Sequence, residues 1–234
     1  NLKSSPYIDM TIQILKDLGI SIVNEDYKHF RIPGNQKYKP SEYTVEGDWS
    51  GGAFLLVAGA INGEIAVEGL KQSSRQSDMA VLNALKDAGA SVKTEKDTFF
   101  VRASELKAFS FDATHSPDLF PPLAALASYC RGTSTIKGVS RLIHKESNRA
   151  DTIRTEFGKL GIAVEVSGDI MTITGGNVKG ARVESHEDHR IAMAMAVSAL
   201  KADGRVYIKD SQSIAKSYPA FFDDLRSLGA LVHE

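Results

Sequence analysis

The acidic and cationic side chains that could do chemistry fall in four short runs of the sequence: Asp118, Lys145–Arg149, Asp188–Arg190 and Lys216. The second run brings a lysine, a glutamate and an arginine together within five residues, directly after a predicted strand. Fixed cations suit a substrate with several negative charges, and a carboxylate or an imidazole can exchange a proton with it. The four runs therefore indicate a reaction that moves protons on a substrate with several anionic groups.

Each of these runs also has a purely structural interpretation. Asp118 precedes a predicted apolar helix, where a carboxylate can satisfy free backbone amides instead of acting as a general base. Glu146 and Arg149 would share a face if both lay in the first turn of the following helix, and they would then form a surface ion pair of little energetic value. Asp188–Arg190 could be a capped helix start with a satisfied histidine, and Lys216 could be a solvated loop residue.

Three aspartates that each precede an apolar helix recur at a spacing of 70 residues, at Asp48, Asp118 and Asp188. Equivalent positions in repeated units would bring the three carboxylates to one rim of the fold. A cap at the start of each helix explains all three aspartates. It does not explain the lysines and arginines of the four runs, so the structural and the functional interpretations both stay open at this point.

A repeated pattern of helix, glycine and alternating strand organises the chain. It recurs around Gly19, Gly89, Gly161 and Gly229, which are spaced by 70, 72 and 68 residues. The helices carry apolar residues at helical spacing, and the glycine supplies the left-handed conformation that ends a helix. A hairpin follows in each complete unit, and the third unit is short of its last strand.

A second class of helix precedes these in the later units and is apolar nearly all round: Ala53–Ile61, Leu119–Tyr129 and Ile191–Leu200. Helices of this composition belong in a core. We therefore predict an α/β (α+β) fold with a three-fold repeat of βαβαββ-like units, in which the helices lie inside and the sheets outside.

The chain divides into two unequal parts. Residues 1–45 hold only a helix, a hairpin and a linker, and we expect them to be the remnant of another, N-terminal domain. Residues 46–234 are predicted to form the main three-repeat domain. The linker is predicted at Gly34–Ser41, where prolines and lysines accumulate. Because the first half-unit lacks its partner half, we expect the sequence to be a piece of a longer polypeptide.

Composition disfavours several classes of function. The formal net charge of −1 provides no global positive field for a nucleic acid partner. No apolar run approaches the roughly 20 residues needed to cross a bilayer, so we expect no membrane partner. The single cysteine, Cys130, rules out an internal disulfide and fits a reducing cytoplasm.

Six motifs, taken jointly and in their order, resemble those of the 5-enolpyruvylshikimate-3-phosphate synthase family, also called 3-phosphoshikimate 1-carboxyvinyltransferases. They extend over essentially the whole chain: Ser4–Asp9, Val45–Asp48, His115–Asp118, Lys145–Arg149, Asp188–Met193 and Ala215–Pro219. The resemblance implies the inside-out α/β barrel of the enolpyruvyl transferases, with two similar domains of three repeats each. It also implies that the family's N-terminal portion is absent from this sequence.

The resemblance implies transfer of the enolpyruvyl group of phosphoenolpyruvate to the 5-hydroxyl of shikimate 3-phosphate, with release of phosphate. This is a step of the shikimate pathway of aromatic amino-acid biosynthesis. The resemblance implies that the enzyme needs no metal and no organic cofactor. It also implies that the enzyme is cytoplasmic and is a monomer at full length. Asp118 would be the base that faces the 5-hydroxyl, and Glu146 would exchange a proton with the methylene carbon. The isolated fragment would be inactive, because the substrates are clamped between the two domains.

The same resemblance implies a set of substrate-binding residues. Arg149 and Arg190 would clamp the carboxylate of phosphoenolpyruvate, which an arginine can hold by two parallel bonds. Lys216 would lie near the phosphate of that substrate, and Lys145 would hold shikimate 3-phosphate. His189 would orient this wall of the site.

Two further positions match contacts to shikimate 3-phosphate from the other domain, namely Ser4 and Tyr7. A serine at this point of a helix would ordinarily cap it. The chain departs from the family pattern at Arg141, where some members have asparagine, so the contact to shikimate 3-phosphate at this position is not carried over to this arginine.

Two other functions share the implied fold. The related enolpyruvyl transferase that acts on UDP-N-acetylglucosamine has the same chemistry, but its site lacks the Asp-His-Arg and Lys-Glu-Ser-Asn-Arg runs as written here. A non-catalytic module, for instance an RNA-processing relative, would need a basic groove, which the net charge of −1 disfavours.

Overall fold

The computed structural model describes residues 2–39, 42–143 and 145–233. Five residues lie outside these ranges: Asn1, Pro40 and Ser41 at the end of the predicted linker, His144 directly before the run Lys145–Arg149, and Glu234. No helix in the described ranges is both long enough and apolar enough to span a membrane.

Helices of two kinds build the described chain. In order they are α1 (Ser5–Asp17), α2 (Trp49–Ile61), α3 (Val81–Asp87), α4 (Phe120–Ser128), α5 (Arg149–Lys159), α6 (His189–Ala199) and α7 (Phe221–Ser227). The helices α2, α4 and α6 are buried along almost their whole length and pack against one another. Their mostly apolar side chains gain from burial on every face. The three apolar core helices predicted from the sequence are therefore confirmed.

The described residues also form four small sheets, three of which contact α2, α4 or α6. The strands are β1 (Val23–Glu25), β2 (His29–Arg31), β3 (Glu64–Val67), β4 (Ser91–Glu95), β5 (Thr98–Arg102), β6 (Ser110–Asp112), β7 (Thr133–Lys137), β8 (Ala163–Ser167), β9 (Ile170–Thr174), β10 (Arg182–Glu184) and β11 (Tyr207–Lys209). The sheet orders are β1-β2, β3-β5-β4, β6-β7-β9-β8 and β10-β11. The pairs β6–β7 and β10–β11 are parallel, and the other pairs are antiparallel.

The sheets present alternate residues to the core helices. In β5, Phe99 and Val101 are buried while their neighbours are partly exposed, and β5 contacts α2. In β9, Met171 and Ile173 are buried in the same alternation, and β9 contacts α4. The period of two along each strand therefore turns one face toward the apolar helices.

Glycine ends the four amphipathic helices as the sequence predicts. Gly19, Gly89, Gly161 and Gly229 have φ of 84°, 88°, 83° and 97°. At each helix end the amide of the next residue donates to a carbonyl five positions back, as Ala90 does to the carbonyl of Leu85 at 2.9 Å. This is the Schellman motif, which satisfies carbonyls that the helix itself leaves unpaired.

Three features differ from the sequence-based expectation. The strand predicted after Gly229 is wrong, because residues 230–233 form no strand. The short strands β6 and β10 were not predicted, and each supplies the first strand of a parallel pair. The helix α5 begins at Arg149, so Glu146 lies before the helix and not in its first turn. The division of the chain at residues 45 and 46 stays a prediction.

Candidate active site

The starts of three helices bring the predicted residues together. Asp118 lies in the 3-10 turn Pro117–Leu119, which leads directly into α4. Arg149 is the first residue of α5, and Asp188 immediately precedes α6. Hydrogen bonds from Arg149 reach both Asp118 and Asp188, so three segments that are far apart in sequence meet at one place.

Arg149 is the centre of this place. Its side chain is fully buried, and its guanidinium donates to three carboxylates. Nε and Nη2 donate to Asp188 Oδ2 and Oδ1 at 2.7 and 3.2 Å. Nη1 donates to Asp118 Oδ1 at 2.6 Å, and Nη2 donates to Glu146 Oε2 at 2.5 Å. The surface ion pair considered for Glu146 and Arg149 is therefore wrong, because the arginine has no exposed surface.

This network stabilises the positive charge of Arg149. Burial lowers the pKa of its guanidinium, but the hydrogen bond and charge of Asp188, followed by the charges of Asp118 and Glu146, outweigh burial and raise the pKa. The expected role of Arg149 was to clamp a substrate carboxylate. In the structure its donors face carboxylates of the protein, and only Glu146 among them is appreciably exposed, at 36% of its side chain.

Asp118 is surrounded by cations. Besides Arg149, Lys145 Nζ lies 3.0 Å from Oδ1, and Arg190 Nη2 lies 3.4 Å from Oδ2. Burial raises the pKa of Asp118, but Arg190, Lys145 and Arg149 together lower it to about 2. Asp118 is therefore an ionised carboxylate at neutral pH, and a weak base as long as all three cations face it.

The interpretation of the three equivalent aspartates as helix caps holds for two of them. Asp48 accepts hydrogen bonds from the amides of Ser50 and Gly51 at 3.0 and 2.9 Å, and Asp188 accepts one from the amide of Arg190 at 3.0 Å. Asp118 caps nothing with its side chain. The cap interpretation of Asp118 is therefore wrong, because its carboxylate is turned to the cations instead of to the helix amides.

Glu146 and His189 face each other at the edge of the network. Glu146 Oε1 lies 3.8 Å from His189 Nδ1, while Oε2 is held by Arg149. Burial and the nearby charge of Arg190 lower the pKa of His189, with Asp188 and Glu146 opposing them. The imidazole is therefore neutral at neutral pH, and Glu146 lies between a neutral ring and a fixed cation.

Unpartnered buried nitrogens occur at this site and on Arg141, which precedes the Leu142 carbonyl that accepts the Arg149 amide. Within the described residues, three buried side-chain nitrogens lack a hydrogen-bond partner, namely Arg141 Nε, His189 Nδ1 and Arg190 Nε. Buried polar atoms are ordinarily paired, because an unpaired one costs about 1–3 kcal/mol. All three belong to segments singled out by the sequence, and two of them carry a permanent positive charge. Such a set is suited to an anionic ligand.

The first helix contributes to the same site from residues 1–45. Ser4 does not cap α1, contrary to the expectation for a serine there, because its φ of 60° turns it away from the helix amides. Its hydroxyl instead accepts a hydrogen bond from Arg141 Nη2 at 2.7 Å. Burial and the charge of Asp78 raise the pKa of Tyr7 to about 12, and the charges of Asp118 and Arg190 also act on its phenol. Tyr7 is thus brought to the site. Ser4 contacts Arg141, which directly precedes Leu142, whose carbonyl accepts the Arg149 amide.

Lys216 reaches the site indirectly. It ends the 3-10 helix Ser211–Lys216, and its side-chain Nζ donates to the backbone carbonyl of Glu187 at 2.7 Å. Glu187 immediately precedes Asp188, so this ammonium lies at the border of the network and is exposed. The interpretation of Lys216 as a solvated loop residue is therefore incomplete. Its ammonium is exposed, but it also binds the backbone of the segment that carries Asp188.

One buried carboxylate of the site escaped sequence reasoning. Asp78 is fully buried in the 3-10 turn Ser77–Ala80, and Ser50 donates to its Oδ2 at 2.5 Å. Burial, opposed first by the Ser50 hydrogen bond, raises the pKa of Asp78 to about 6, and the charges of Asp118 and Arg190 also act on it. Its only sequence signal is an aspartate directly before an apolar helix, which is typical of ordinary helix starts.

The arrangement combines anion binding with proton exchange. Lys145 and Arg190 present cationic groups to Asp118, which the fully buried Arg149 holds in place, and Lys216 lies at the border of the network. The carboxylates of Asp118 and Glu146 have different surroundings, since three cations face the first and one faces the second. Two carboxylates in different surroundings can take different roles in proton transfer.

Comparison with known proteins identifies a family and relatives whose sequences are similar to this chain. The family profile described as EPSP synthase (3-phosphoshikimate 1-carboxyvinyltransferase) matches residues 1–225. A 3-phosphoshikimate 1-carboxyvinyltransferase of Clostridium acetobutylicum is 44% identical over 235 residues, which cover 100% of this chain and 54% of the relative. One of Thermococcus kodakarensis is 41% identical over 228 residues, covering 97% of this chain and 56% of the relative. The chain thus spans about half the length of the curated relatives it matches.

Solved structures share the fold at lower identity. An EPSP synthase from Acinetobacter baumannii superposes with a TM-score of 0.83 at 24% identity, covering 93% of this chain and 53% of that one. The enolpyruvyl transferase NikO from Streptomyces tendae superposes with a TM-score of 0.77 at 21% identity, covering 99% of this chain and 54% of that one. The mixed α/β arrangement described above is therefore an arrangement that enolpyruvyl transferases also have.

Proposed function

The chain belongs to the EPSP synthase (3-phosphoshikimate 1-carboxyvinyltransferase) family, and we propose that the full-length protein transfers the enolpyruvyl group of phosphoenolpyruvate to the 5-hydroxyl of shikimate 3-phosphate. Phosphate is released in this reaction. The observation that carries the proposal is the set of unpartnered buried nitrogens on Arg141, His189 and Arg190. Of these residues, Arg190 lies beside Asp118 and His189 lies beside Glu146. Two anionic substrates and a proton transfer need this combination of donors and carboxylates.

Asp118 is proposed as the base that removes the proton of the 5-hydroxyl. In the structure Arg190, Lys145 and Arg149 lower its pKa to about 2, which is too low for an efficient base. Binding of the anionic substrates to Arg190 and Lys145 would neutralise part of this positive charge and raise the basicity of Asp118. The base would therefore become effective only when both substrates are bound.

Glu146 is proposed to exchange a proton with the methylene carbon of phosphoenolpyruvate. In the structure its carboxylate occupies Nη2 of Arg149, and it is the most exposed of the three carboxylates on that guanidinium. The substrate carboxylate would replace Glu146 at this nitrogen and so bind between Arg149 and Arg190. The exchange would free Glu146 at the place and the moment at which the reaction needs it.

The remaining residues would bind and orient the substrates. Lys216 would hold the phosphate of phosphoenolpyruvate, and Lys145 would hold shikimate 3-phosphate. Ser4 and Tyr7 would contact the same substrate from the first helix, a role supported by the bond of Arg141 to Ser4 and by the position of Tyr7 close to Asp78 and Asp118. His189 would orient the wall that carries Arg190.

A three-fold repeat and a second domain belong to the same proposal. The mutual packing of α2, α4 and α6 and the spacing of 70 residues between Asp48, Asp118 and Asp188 support three equivalent units with the helices inside. Because relatives are about twice as long, a second domain would complete the site from the opposite side.

The experiment is an assay of phosphate release by the full-length protein. With phosphoenolpyruvate and shikimate 3-phosphate we expect turnover within the ordinary enzymatic range of about 1–1000 per second. A parallel reaction with UDP-N-acetylglucosamine in place of shikimate 3-phosphate should release no phosphate. Phosphate release with the nucleotide sugar but not with shikimate 3-phosphate would refute the substrate assignment. The 234-residue chain by itself should release no phosphate from either pair of substrates.

A further inference from the structure

The turn that leads into α6 is held in an unfavourable backbone conformation. In the four-residue turn 185–188 the amide of Asp188 donates to the carbonyl of Ser185 at 3.0 Å. The two central residues, His186 and Glu187, have φ of 53° and 56°. Turns with positive φ at both central positions are dominated by glycine, asparagine and aspartate, and other residues there are strained. A histidine followed by a glutamate therefore needs support from the surrounding structure.

Glu156 supplies contacts on one side of this turn. It lies in α5, seven residues after Arg149, and its side chain is fully buried. Its Oε2 accepts the backbone amide of Glu184 at 2.9 Å, and its Oε1 lies 2.8 Å from His186 Nε2. Lys159 Nζ, 2.8 Å from both oxygens, balances the charge. One carboxylate thus binds both the residue that precedes the turn and its first central residue.

The other contacts to the turn come from different elements. The amide of Ser185 donates to the carbonyl of Lys209 in β11 at 3.1 Å, and the hydroxyl of Ser185 donates to the carbonyl of Asp210 at 2.9 Å. Lys216 holds the carbonyl of Glu187. The charged groups that face the Glu156 carboxylate are therefore Lys159 and, when protonated, His186.

The position of this turn decides where Asp188 lies. Asp188 follows the turn directly, is fully buried, and holds Arg149 with both carboxylate oxygens. It also caps α6 by accepting the amide of Arg190. Any relaxation of the turn would therefore be transmitted to both arginines that the proposed function assigns to the carboxylate of phosphoenolpyruvate.

We propose that Glu156 is a positioning residue, which holds the strained turn 185–188 and so fixes Asp188, Arg149 and Arg190 in the arrangement that binds the substrate carboxylate. The inference rests on the proposed function for its kinetic part only. Although burial raises the pKa of Glu156, the hydrogen bonds of Lys159, His186 and Glu184 outweigh it and lower the pKa, so the carboxylate is ionised when it holds the turn.

The test uses Glu156→Gln in the full-length protein. A glutamine side chain keeps the shape but cannot accept from the amide of Glu184, Lys159 and His186 at once. We expect the KM for phosphoenolpyruvate to rise on the order of tenfold, while kcat and the KM for shikimate 3-phosphate change less than about threefold. A loss of correctly folded protein would instead lower kcat and leave both KM values unchanged. Glu165→Gln, an exposed glutamate in β8, is the matched control and should behave as the unaltered protein.

Relief of the backbone strain distinguishes positioning from other roles. Glycine adopts positive φ without a steric cost, so Glu156→Gln combined with Glu187→Gly should bring the KM for phosphoenolpyruvate back to within about threefold of the unaltered value. Failure of this rescue, or an unchanged KM in Glu156→Gln alone, overturns the inference.

A readout without substrate separates this inference from the proposed function. Hydrogen exchange of the Asp188 amide should be faster in Glu156→Gln on the order of tenfold and restored in the double variant. If the unaltered protein shows no turnover, the proposed function fails, while a faster exchange of this amide still supports the structural role of Glu156. Unchanged exchange overturns that role whatever the kinetics show.

Discussion

Replacement of Asp78 by asparagine is expected to stabilise the protein at neutral pH and not at acidic pH. Asp78 is fully buried, and its best partner is the neutral hydroxyl of Ser50. A buried carboxylate without a directly bonded cation favours its protonated form. The folded protein therefore loses stability whenever Asp78 must ionise, and asparagine removes this loss because it carries no charge.

The magnitude follows from the pKa of Asp78. Burial raises it from 3.8 to about 6 in the folded protein. Each pKa unit corresponds to about 1.4 kcal/mol, so ionisation of Asp78 costs the folded state about 3 kcal/mol. The stability that protonated Asp78 provides is fully present below pH 3.8 and is lost as the pH rises through about 6. The difference between the asparagine variant and the unaltered protein should therefore grow across this window and stay constant above it.

The assay is urea unfolding at pH 4 and at pH 8, followed by tryptophan fluorescence. Trp49 is the single tryptophan of this sequence, is fully buried and precedes Ser50, so it reports on the relevant part of the fold. We expect the free energy of unfolding of Asp78→Asn, relative to the unaltered protein, to be about 2 kcal/mol higher at pH 8 than at pH 4, because the carboxyl of the unfolded chain is already partly ionised at pH 4. Asp203→Asn, an exposed aspartate, is the control with the same change in charge. Equal differences at both pH values would refute the reasoning.

Four further substitutions test the site. Asp118→Asn and Glu146→Gln should each lower the rate of phosphate release by at least about 100-fold, as is typical of acid–base groups, and a rate near the original would remove the assigned role. Arg149→Met should lower the free energy of unfolding by about 3–5 kcal/mol, because Asp188 is left buried and without its cation. Arg154→Met is the control, because Arg154 forms an exposed ion pair with Asp151. We expect it to lower the free energy of unfolding by about 1 kcal/mol or less. Arg190→Lys should raise the KM for phosphoenolpyruvate by roughly tenfold while the melting temperature stays within a few degrees, because lysine keeps the charge but not the planar pair of donors; an unchanged KM would contradict the proposed contact.

The elements of the fold were predictable because their signals are local. The apolar helices α2, α4 and α6 show their burial in composition alone, and the four glycines that end amphipathic helices need only their own backbone conformation. The strands β6 and β10 escaped because each has only three residues and pairs in parallel with a strand further along the chain, so neither a clear period of two nor a hairpin turn marks it.

The site was predictable in its members and not in its connections. Sequence motifs selected Asp118, Arg149 and Asp188, but the partners of Arg149 lie 31 and 39 residues away in the chain. Nothing local distinguishes a guanidinium that is buried among three carboxylates from one that is free to bind a substrate. Glu156 escaped for a related reason, since a glutamate in an amphipathic helix resembles one on the solvent face until the loop that covers it is known.

The shared guanidinium of Arg149 has a consequence for how these positions can change over evolutionary time. Substitution of Asp118 or Asp188 alone leaves Arg149 with an altered set of partners, so the effect of a second substitution depends on the first. Residues joined in this way commonly deviate from additivity by about 0.5–3 kcal/mol. Natural or engineered variants that alter one of these three residues should therefore tend to carry compensating changes at the other two.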